Sequence, residues 1–200
     1  MKKLFFILLA AMAFLVSCKQ KEKLSGVKDE TTDRTKDSVA IRNTVTGFYT
    51  WYTTNYTKFD AYDLYSGIKK KDEPPYKINW DEVEKYQAFI RDSVPELGDA
   101  FLQNQKRLFQ KCDSAFKVDV EDDIPYFFDF DWYTNTQEDP AYLLEEMKKS
   151  RQWFITINGD EAIVDIKGFD EDGKKPAATV INLVMKKENG QWTIAKTWAD

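Results

Sequence analysis

Carboxylate side chains alternate with aromatic side chains over residues 121–140, and this acidic stretch has the greatest capacity for chemistry in the chain. Oxygen-only ligand sets suit Ca²⁺. The spacing does not match a helix–loop–helix calcium motif, because Tyr133, Thr134 and Pro140 replace its acidic or amide ligand, its glycine and its bidentate glutamate. We therefore predict neither a metal site nor a cofactor. The oxygen-bearing candidates in this stretch are Asp129, Asp131, Asn135, Gln137, Glu138 and Asp139.

Two carboxyl groups on opposite sides of a scissile bond are the requirement for carboxylate-dependent hydrolysis. In glycosidases they lie about 5–9 Å apart and one has a raised pKa. Asp129 and Asp131 lie among Phe128, Phe130 and Trp132, and an apolar setting raises the pKa of a carboxyl group. A hydrolase is therefore one hypothesis. A purely structural interpretation competes with it, since Asp and Asn side chains often cap turns and helix starts.

A binding pocket is the third interpretation of these residues. Tyrosine and tryptophan rings offer flat faces with polar tips, which suit sugars, peptides or lipid-like ligands when carboxylate and amide groups fix the orientation. Ordinary packing of helices on a sheet is the alternative explanation for the same rings. The predicted pocket residues are Tyr49, Tyr52, Tyr56, Asp129, Asp131, Trp132, Gln137 and Asp139.

Composition excludes several classes of function. The chain contains no histidine and two cysteines, which excludes Ser-His-Asp and Cys-His catalysis and most zinc and iron sites. The formal charge is −5, with the acids scattered among lysines, so the sequence does not indicate a nucleic-acid partner. Phe109 and Phe116 lie near Cys112, which we predict to be a small buried hydrophobic residue.

The N-terminal residues have the order of a bacterial lipoprotein signal peptide. Lys2 and Lys3 precede an apolar run over residues 4–16, and Ser17 precedes Cys18. The run is too short to span a bilayer, which takes about 20 apolar residues. We predict cleavage before Cys18, lipid on its thiol, and a membrane anchor in the cell envelope. Because Lys19 rather than aspartate follows the cysteine, the pattern is similar to that of lipoproteins passed on to the outer membrane.

The helices and loops that position the candidate residues are predicted from the periodicity of apolar residues and from residues that interrupt regular structure. Residues 1–17 are the predicted signal peptide, 18–36 a polar flexible tether, and 37–200 a single domain. A first helix is predicted from Asp37, followed by a loop from Tyr56 to Tyr76 that contains a solvated lysine run. The predicted apolar stripe of this helix is Val39, Arg42, Val45, Tyr49 and Tyr52, widened by Ile41, Phe48 and Trp51.

Three further helices are predicted. The second begins after Asn79, which has capping-box spacing to Glu82. The third runs from Pro95 to Cys112, since proline interrupts a helix, and the fourth from Ala141 to Lys149.

The last quarter of the chain has the pattern of an antiparallel meander. Each turn dipeptide, Asn158-Gly159, Asp172-Gly173 and Asn189-Gly190, tolerates the positive φ of tight hairpins. Helices followed by a meander predict an α+β fold, with the helices packed on a curved antiparallel C-terminal sheet. The predicted strands are Trp153–Asn158, Glu161–Phe169, Ala177–Lys187 and Gln191–Ala199.

Three short motifs resemble those of an uncharacterised bacterial lipoprotein family, domain of unknown function 3828. They are residues 48–52 on the first helix, Asp129-Phe130-Asp131 leading to Gln137-Glu138-Asp139, and Trp192-Thr193-Ile194 in the closing strand. Phe130 stands where the family pattern has proline, and Glu138 intervenes before Asp139. The resemblance implies a cystatin-like, nuclear transport factor 2-like cone with a pocket between helices and sheet, and it supplies no catalytic residues.

These observations lead to an expected function and two alternatives. We expect a membrane-anchored envelope lipoprotein that acts as a non-catalytic ligand-binding or accessory module. The alternatives are a carboxylate-dependent hydrolase and a protein–protein interaction subunit or inhibitor in the envelope. The expected partners are the membrane, through lipid on Cys18, and an unknown small ligand or envelope protein. A homodimer through the sheet is a further hypothesis, because residues 180–185 are nearly apolar on both faces.

Overall fold

The fold was analysed in a computed structural model, which describes residues 30–118, 125, 127–169 and 176–198. The predicted signal peptide, Cys18 and the first part of the predicted tether lie outside these residues, as does the predicted Asp172-Gly173 turn. Among the helices in the described part of the chain, none combines the length and the apolar character needed to cross a membrane.

The first helix, α1, extends from Glu30 to Asn55 and so includes part of the predicted tether. Residues 30–36 contain no glycine or proline, and extending a helix costs less than nucleating one. This explains why α1 begins before the predicted Asp37. The predicted apolar stripe is wrong at Val39, whose side chain is 52% exposed. The side chains of α1 that are buried in the core are Ile41, Val45, Phe48, Tyr49 and Tyr52.

The segment after α1 is more ordered than the predicted loop. It contains a 3₁₀ helix, Tyr56–Ala61, and two short paired strands, β1 (Tyr65–Gly67) and β2 (Tyr76–Ile78). Helix α2 then runs from Trp80 to Ser93.

The predicted capping box at the start of α2 does not form, because the Asn79 side chain is used elsewhere. Asn79 Nδ2 donates to the Asp63 carbonyl at 2.7 Å, and its Oδ1 accepts from the Ser66 hydroxyl at 3.1 Å. Glu82 instead pairs with Lys85 at 2.7 Å. Asn79 therefore fastens the β1 region to the start of α2.

Helix α3 runs from Asp99 to Ala115, and α4 from Pro140 to Lys149. The predicted start of α3 at Pro95 is wrong because residues 96–98 pair with the sheet. Ile194 N donates to the Glu96 carbonyl at 2.7 Å, and Gly98 N donates to the Ile194 carbonyl at 3.2 Å. A backbone that forms these bonds is not available for a helical turn.

Four antiparallel strands form the main sheet, in the order β3-β4-β5-β6. The Asn189-Gly190 turn has φ values of 50° and 81°, as a type I′ hairpin requires. In the first hairpin of the sheet, between Asn158 and Glu161, only Gly159 has a positive φ, 61°, which is the type II′ pattern with Gly159-Asp160 as central residues. The strands are β3 (Gln152–Asn158), β4 (Glu161–Phe169), β5 (Pro176–Glu188) and β6 (Gln191–Lys196).

The predicted α+β class is confirmed, since the helices pack on one face of the C-terminal meander. The inward face of β4 and β5 is buried at Val164, Ile166, Leu183 and Met185. Helices α1 and α3 contact β6, and α4 contacts α1, β4 and β5. The predicted burial of Cys112 is confirmed as well.

A polar clasp fixes the N-terminal half of α1 to the last hairpin. Asp37 Oδ1 accepts from Lys187 Nζ at 2.8 Å and from Trp192 Nε1 at 2.9 Å. About two turns further along, Thr44 Oγ1 donates to the Trp192 carbonyl at 3.0 Å. The two ends of the described chain are therefore joined directly.

Candidate functional site

An open cavity of ≈ 680 Å³, which we call the cleft, lies beside the C-terminal end of α1. Its walls come from the end of α1, the 3₁₀ helix, the β1 region with the turn after it, Tyr86 of α2, and residues 128–140. None of the lining residues belongs to the four-stranded sheet. The cleft is therefore not the pocket between helices and sheet that the family resemblance implies.

Six of the predicted pocket residues line the cleft together. They come from two regions of the chain, the end of α1 with the first residue of the 3₁₀ helix and the acidic stretch, which tertiary packing brings together. These residues are Tyr52, Tyr56, Asp129, Asp131, Trp132 and Gln137.

Asp131 is held between these two regions. Its Oδ2 accepts from the Tyr52 hydroxyl at 2.9 Å, and its Oδ1 accepts from the Tyr133 backbone N–H at 2.8 Å. Burial raises the pKa of the Asp131 carboxyl, and these two hydrogen bonds, which favour the ionised form, oppose the shift. Burial and the nearby Asp131 charge also raise the pKa of the Tyr52 phenol, so Tyr52 acts as a donor.

Tyr133 forms the floor of the cleft and joins it to the core. Its hydroxyl lies 2.5 Å from the Tyr86 hydroxyl, and Gln105 Nε2 donates to it at 3.4 Å. Its ring stacks on Phe101 with centroids 5.7 Å apart. Because Tyr86, Gln105 and Phe101 are all buried, the floor is part of a packed network rather than a mobile surface.

The backbone of the acidic stretch makes a tight turn that presents Asp131 and Trp132. Asp131 N donates to the Thr136 carbonyl at 3.0 Å, and Asn135 has a positive φ of 54°, which Asn tolerates better than most residues. Phe127 has a φ of 68°, an uncommon conformation for an aromatic residue. The Trp132 indole N–H donates to the carbonyl of this same Phe127 and so helps to hold it there.

The outer part of the cleft is polar and open to solvent. Asp129 and Gln137 are both exposed, and Gln137 Nε2 donates to the Asp129 backbone carbonyl at 2.9 Å. Tyr56, whose side chain is 40% exposed, lies next to Tyr52 with ring centroids 6.3 Å apart. An aromatic ring that remains this exposed at a cavity is available for contact with a ligand.

Two predicted pocket residues do not line the cleft. Tyr49 is 1% exposed, and its hydroxyl donates to the Tyr133 carbonyl at 2.7 Å, so it belongs to the core. Asp139 caps α4, because its Oδ1 accepts from the Ala141 backbone N–H at 2.7 Å. The structural interpretation of the acids is correct at this position, where proline follows directly as the first helical residue.

Sequence reasoning missed the wall opposite the acidic stretch. Tyr62, Tyr65, Asp60, Asp63 and Lys71 line the cleft, although their segment was predicted to be a loop. Their sequence carried a usable signal, since residues 59–65 alternate between aromatic and acidic side chains as residues 127–132 do. The ring of Tyr65 meets the ring of Phe128 edge to face at 4.7 Å, which joins the two walls.

Negative charge dominates the cleft. Its lining residues include one cationic side chain, Lys71, together with six carboxyl groups. In the described part of the chain, no three acidic or cysteine side chains are grouped closely enough to hold a metal ion. The acidic residues are Asp60, Asp63, Asp72, Asp129, Asp131 and Glu138.

Comparisons with protein-family models, curated proteins and solved structures give no match to this chain. The resemblance to the domain of unknown function 3828 family therefore stays a prediction.

Proposed function

We propose that this protein is an envelope lipoprotein, anchored through Cys18, whose domain is a non-catalytic ligand-binding module. The membrane anchor, the outer-membrane location and membership of the domain of unknown function 3828 family are parts of this proposal that depend on the sequence patterns. The ligand-binding part depends on the cleft.

One observation carries the proposal, the cleft of ≈ 680 Å³ in which aromatic rings and the half-buried Asp131 carboxyl group converge. This volume lies in the range of sites that enclose small ligands, about 300–1,000 Å³. The rings of Tyr56, Tyr62 and Tyr65 supply flat contact surfaces, and Asp131 supplies an acceptor held by Tyr52. This combination of apolar walls with a few fixed polar groups is typical of ligand sites.

A binding module is favoured over a hydrolase because the carboxyl groups differ in how they are held. Asp131 has the buried setting and raised pKa that a general acid needs. Asp129 is exposed, and Asp131 already serves as an acceptor for Tyr52 and the Tyr133 backbone. The arrangement fixes the floor of the cleft and offers no second carboxyl group in a comparably defined position among the described residues.

The test is to isolate the full chain from the membranes of its own host in a mild neutral detergent and examine it by native mass spectrometry. A retained small molecule, released when the protein is denatured, is the expected result. A retained envelope protein would instead support the interaction alternative. The same sample is expected to leave a panel of glycans and peptides intact, and turnover that Asp131→Asn abolishes would overturn the non-catalytic assignment.

Tyr56→Ala locates the ligand. Removing this exposed ring is expected to lower retention or affinity about 3- to 10-fold, the range for losing one aromatic contact. Tyr142→Ala is the matched control, because Tyr142 is 56% exposed on α4 and does not line the cleft. Equal effects of the two variants would show that the ligand is bound elsewhere.

A further inference from the structure

We infer that the cleft selects a ligand that carries an ammonium group on an aromatic or apolar body, and that the Lys71 side chain occupies the position of that ammonium in the free protein. This inference rests on the proposed ligand-binding function and specifies its ligand class. It depends on three observations, namely the charge of the cleft, the placement of Lys71 and the rings around it.

The first observation is the excess of carboxyl groups around the concave volume of the cleft. A concave site lined by one sign of charge concentrates the opposite sign. Lys71 is the only cationic residue among those that line the cleft. An anionic ligand would meet repulsion from both walls, whereas a cation would find acceptors on both, with Asp63 and Asp72 on one side and Asp129 on the other.

The second observation is that the cleft already holds an ammonium group. Lys71 Nζ lies 2.9 Å from Asp63 Oδ2, and this hydrogen bond to Asp63 raises the pKa of Lys71. Lys71 is the last of three consecutive lysines. Lys69 and Lys70 do not line the cleft, and Lys70 pairs with Glu73 at 2.7 Å. All three lysines are exposed, as predicted for a solvated loop, and the last of them also lines the cleft.

The pair is easy to displace. The side chains of Lys71 and Asp63 are 65% and 67% exposed, and exposed ion pairs contribute little to folding stability. A ligand ammonium can therefore replace the Lys71 ammonium at Asp63 while Lys71 moves into solvent. This exchange preserves the charge of the cleft, because one ammonium leaves as another enters.

The third observation is the aromatic lining beside this acid. Tyr62 and Tyr65 flank Asp63 in sequence, and both rings line the same cavity. Cations bind favourably over aromatic faces within about 6 Å of the ring centroid. The remainder of the ligand would then contact Tyr56 and the ring of Phe128. An aliphatic or aromatic amine fits these walls better than an uncharged sugar.

The test compares ligands that differ only in charge, using the full chain in neutral detergent and isothermal titration calorimetry. Tyramine and N-acetyltyramine form one pair of probes. The N-terminally acetylated peptide Ala-Lys-Tyr and its ε-acetylated form, which carries no ammonium, are the other, and they distinguish a peptide source of the amine from a small molecule. The charged member of at least one pair is expected to bind about tenfold more tightly, and added salt is expected to reduce this difference.

Variants test the role of Lys71 itself. Lys71→Met removes the internal competitor and is expected to tighten tyramine binding about two- to fivefold, while Asp63→Asn is expected to weaken it by a similar factor. Lys85→Met is the matched control, because the Lys85 side chain is as exposed as that of Lys71, at 65%, and pairs with Glu82 at 2.7 Å away from the cleft. If Lys71→Met and Lys85→Met bind tyramine with the same affinity, the proposed replacement of the Lys71 ammonium by the ligand ammonium is overturned.

The outcomes separate this inference from the proposed function. Equal binding of the charged and acetylated probes, lost in Tyr56→Ala, would overturn the choice of a cation and leave the cleft as a ligand site. Binding of none of the four probes would overturn the cation inference. If native mass spectrometry of the isolated protein also shows no retained ligand, the proposed ligand-binding function is overturned as well.

Discussion

Asp131 joins two segments that are far apart in sequence, since one oxygen of its carboxyl group accepts from Tyr52 and the other from the Tyr133 backbone. Its position at the floor of the cleft makes its protonation state relevant to both stability and binding. A buried carboxyl group whose pKa is raised holds its proton more tightly in the folded state than in the unfolded state.

Stability is therefore expected to fall as pH rises through the titration of Asp131. The loss begins near the ordinary pKa of an unfolded aspartate, about 4, and is complete above the raised pKa of the folded state. Asp131→Asn removes a titrating group, so the difference in unfolding free energy between wild type and variant should vary with pH in this window. Urea unfolding followed by circular dichroism from about pH 4 to 8 measures this difference.

Asp129→Asn is the control for this experiment, because Asp129 is exposed. The pH dependence of this variant should follow that of the wild type. Asp37 does not interfere with this measurement. The hydrogen bond from Lys187 lowers the pKa of Asp37, so its contribution to folding stability is lost only as the pH falls below the ordinary pKa of an aspartate. A difference between wild type and Asp131→Asn that is constant with pH would contradict the prediction.

Helical spacing predicts that Tyr49 and Tyr52 share a face of α1, and both are buried on that face. It does not predict which of them reaches the cleft. The position of Tyr133 determines this. Its backbone carbonyl accepts a hydrogen bond from the Tyr49 hydroxyl, whereas the Tyr52 hydroxyl donates to Asp131. The contacts depend on residues about 80 positions apart in the chain, so local pattern contains no information about them.

At the scale of elements, the start of α3 depends on a residue from the end of β5. Glu188 accepts from Asp99 N through Oε2 at 2.9 Å and from Ala100 N through Oε1 at 3.0 Å. Thr193 Oγ1 also donates to Glu188 Oε2, at 3.1 Å. This carboxylate satisfies two of the backbone donors that the first turn of a helix leaves unpaired.

Glu188→Ala is expected to lower the free energy of unfolding by about 1–2 kcal/mol, as for the loss of a helix cap with its favourable dipole interaction. Gly98→Ala should cost at least as much, because a Cβ at Gly98 would lie 2.0 Å from Glu188 Oε2 and 2.2 Å from Thr193 Oγ1. Urea unfolding midpoints measure both effects.

Glu161→Ala provides the comparison for Glu188→Ala, since Glu161 is an exposed acid on the same sheet, and its stability should change by less than about 0.5 kcal/mol. If Glu188→Ala is no less stable than this control, the proposed cap does not contribute to stability.

Elements whose ends are specified by neighbouring residues were predicted correctly, and elements whose ends depend on contacts with residues distant in sequence were not. The meander was predictable because local residues specify its turns, as Asn189 and Gly190 do. The start of α3 was not, because pairing of residues 96–98 with Ile194 overrides the helical preference of that segment. The 3₁₀ helix and the β1–β2 pair were missed because they are short and depend on contacts such as that between Asn79 and Asp63.

At the scale of the whole molecule, the outward face of the sheet bears on the predicted homodimer. Phe154 on β3 and Ile163 on β4 are each 53% exposed, and the strand register places Val184 of β5 directly beside Ile163 on the same face. Paired apolar side chains of this kind suit contact with a second sheet.

If the sheet mediates a homodimer, the double variant Phe154→Lys and Ile163→Lys is expected to sediment as a monomer at concentrations where the wild type is dimeric. Sedimentation velocity of residues 30–200 measures this. Val39→Lys is the control, because Val39 is similarly exposed on α1 and the substitution should leave the association unchanged. A wild type that remains monomeric at high concentration would contradict the dimer.

The clasp at Asp37 has a mechanical consequence for a protein held by one end. If Cys18 carries the lipid, a pull on the membrane anchor enters the domain along α1 and reaches the bonds of Asp37 to Lys187 and Trp192 before it reaches Tyr52. Tyr52 lies fifteen helical residues beyond Asp37, about 22 Å further along the axis. With such an anchor, the last hairpin would bear the tension, and the shape of the cleft would be insulated from movements of the membrane.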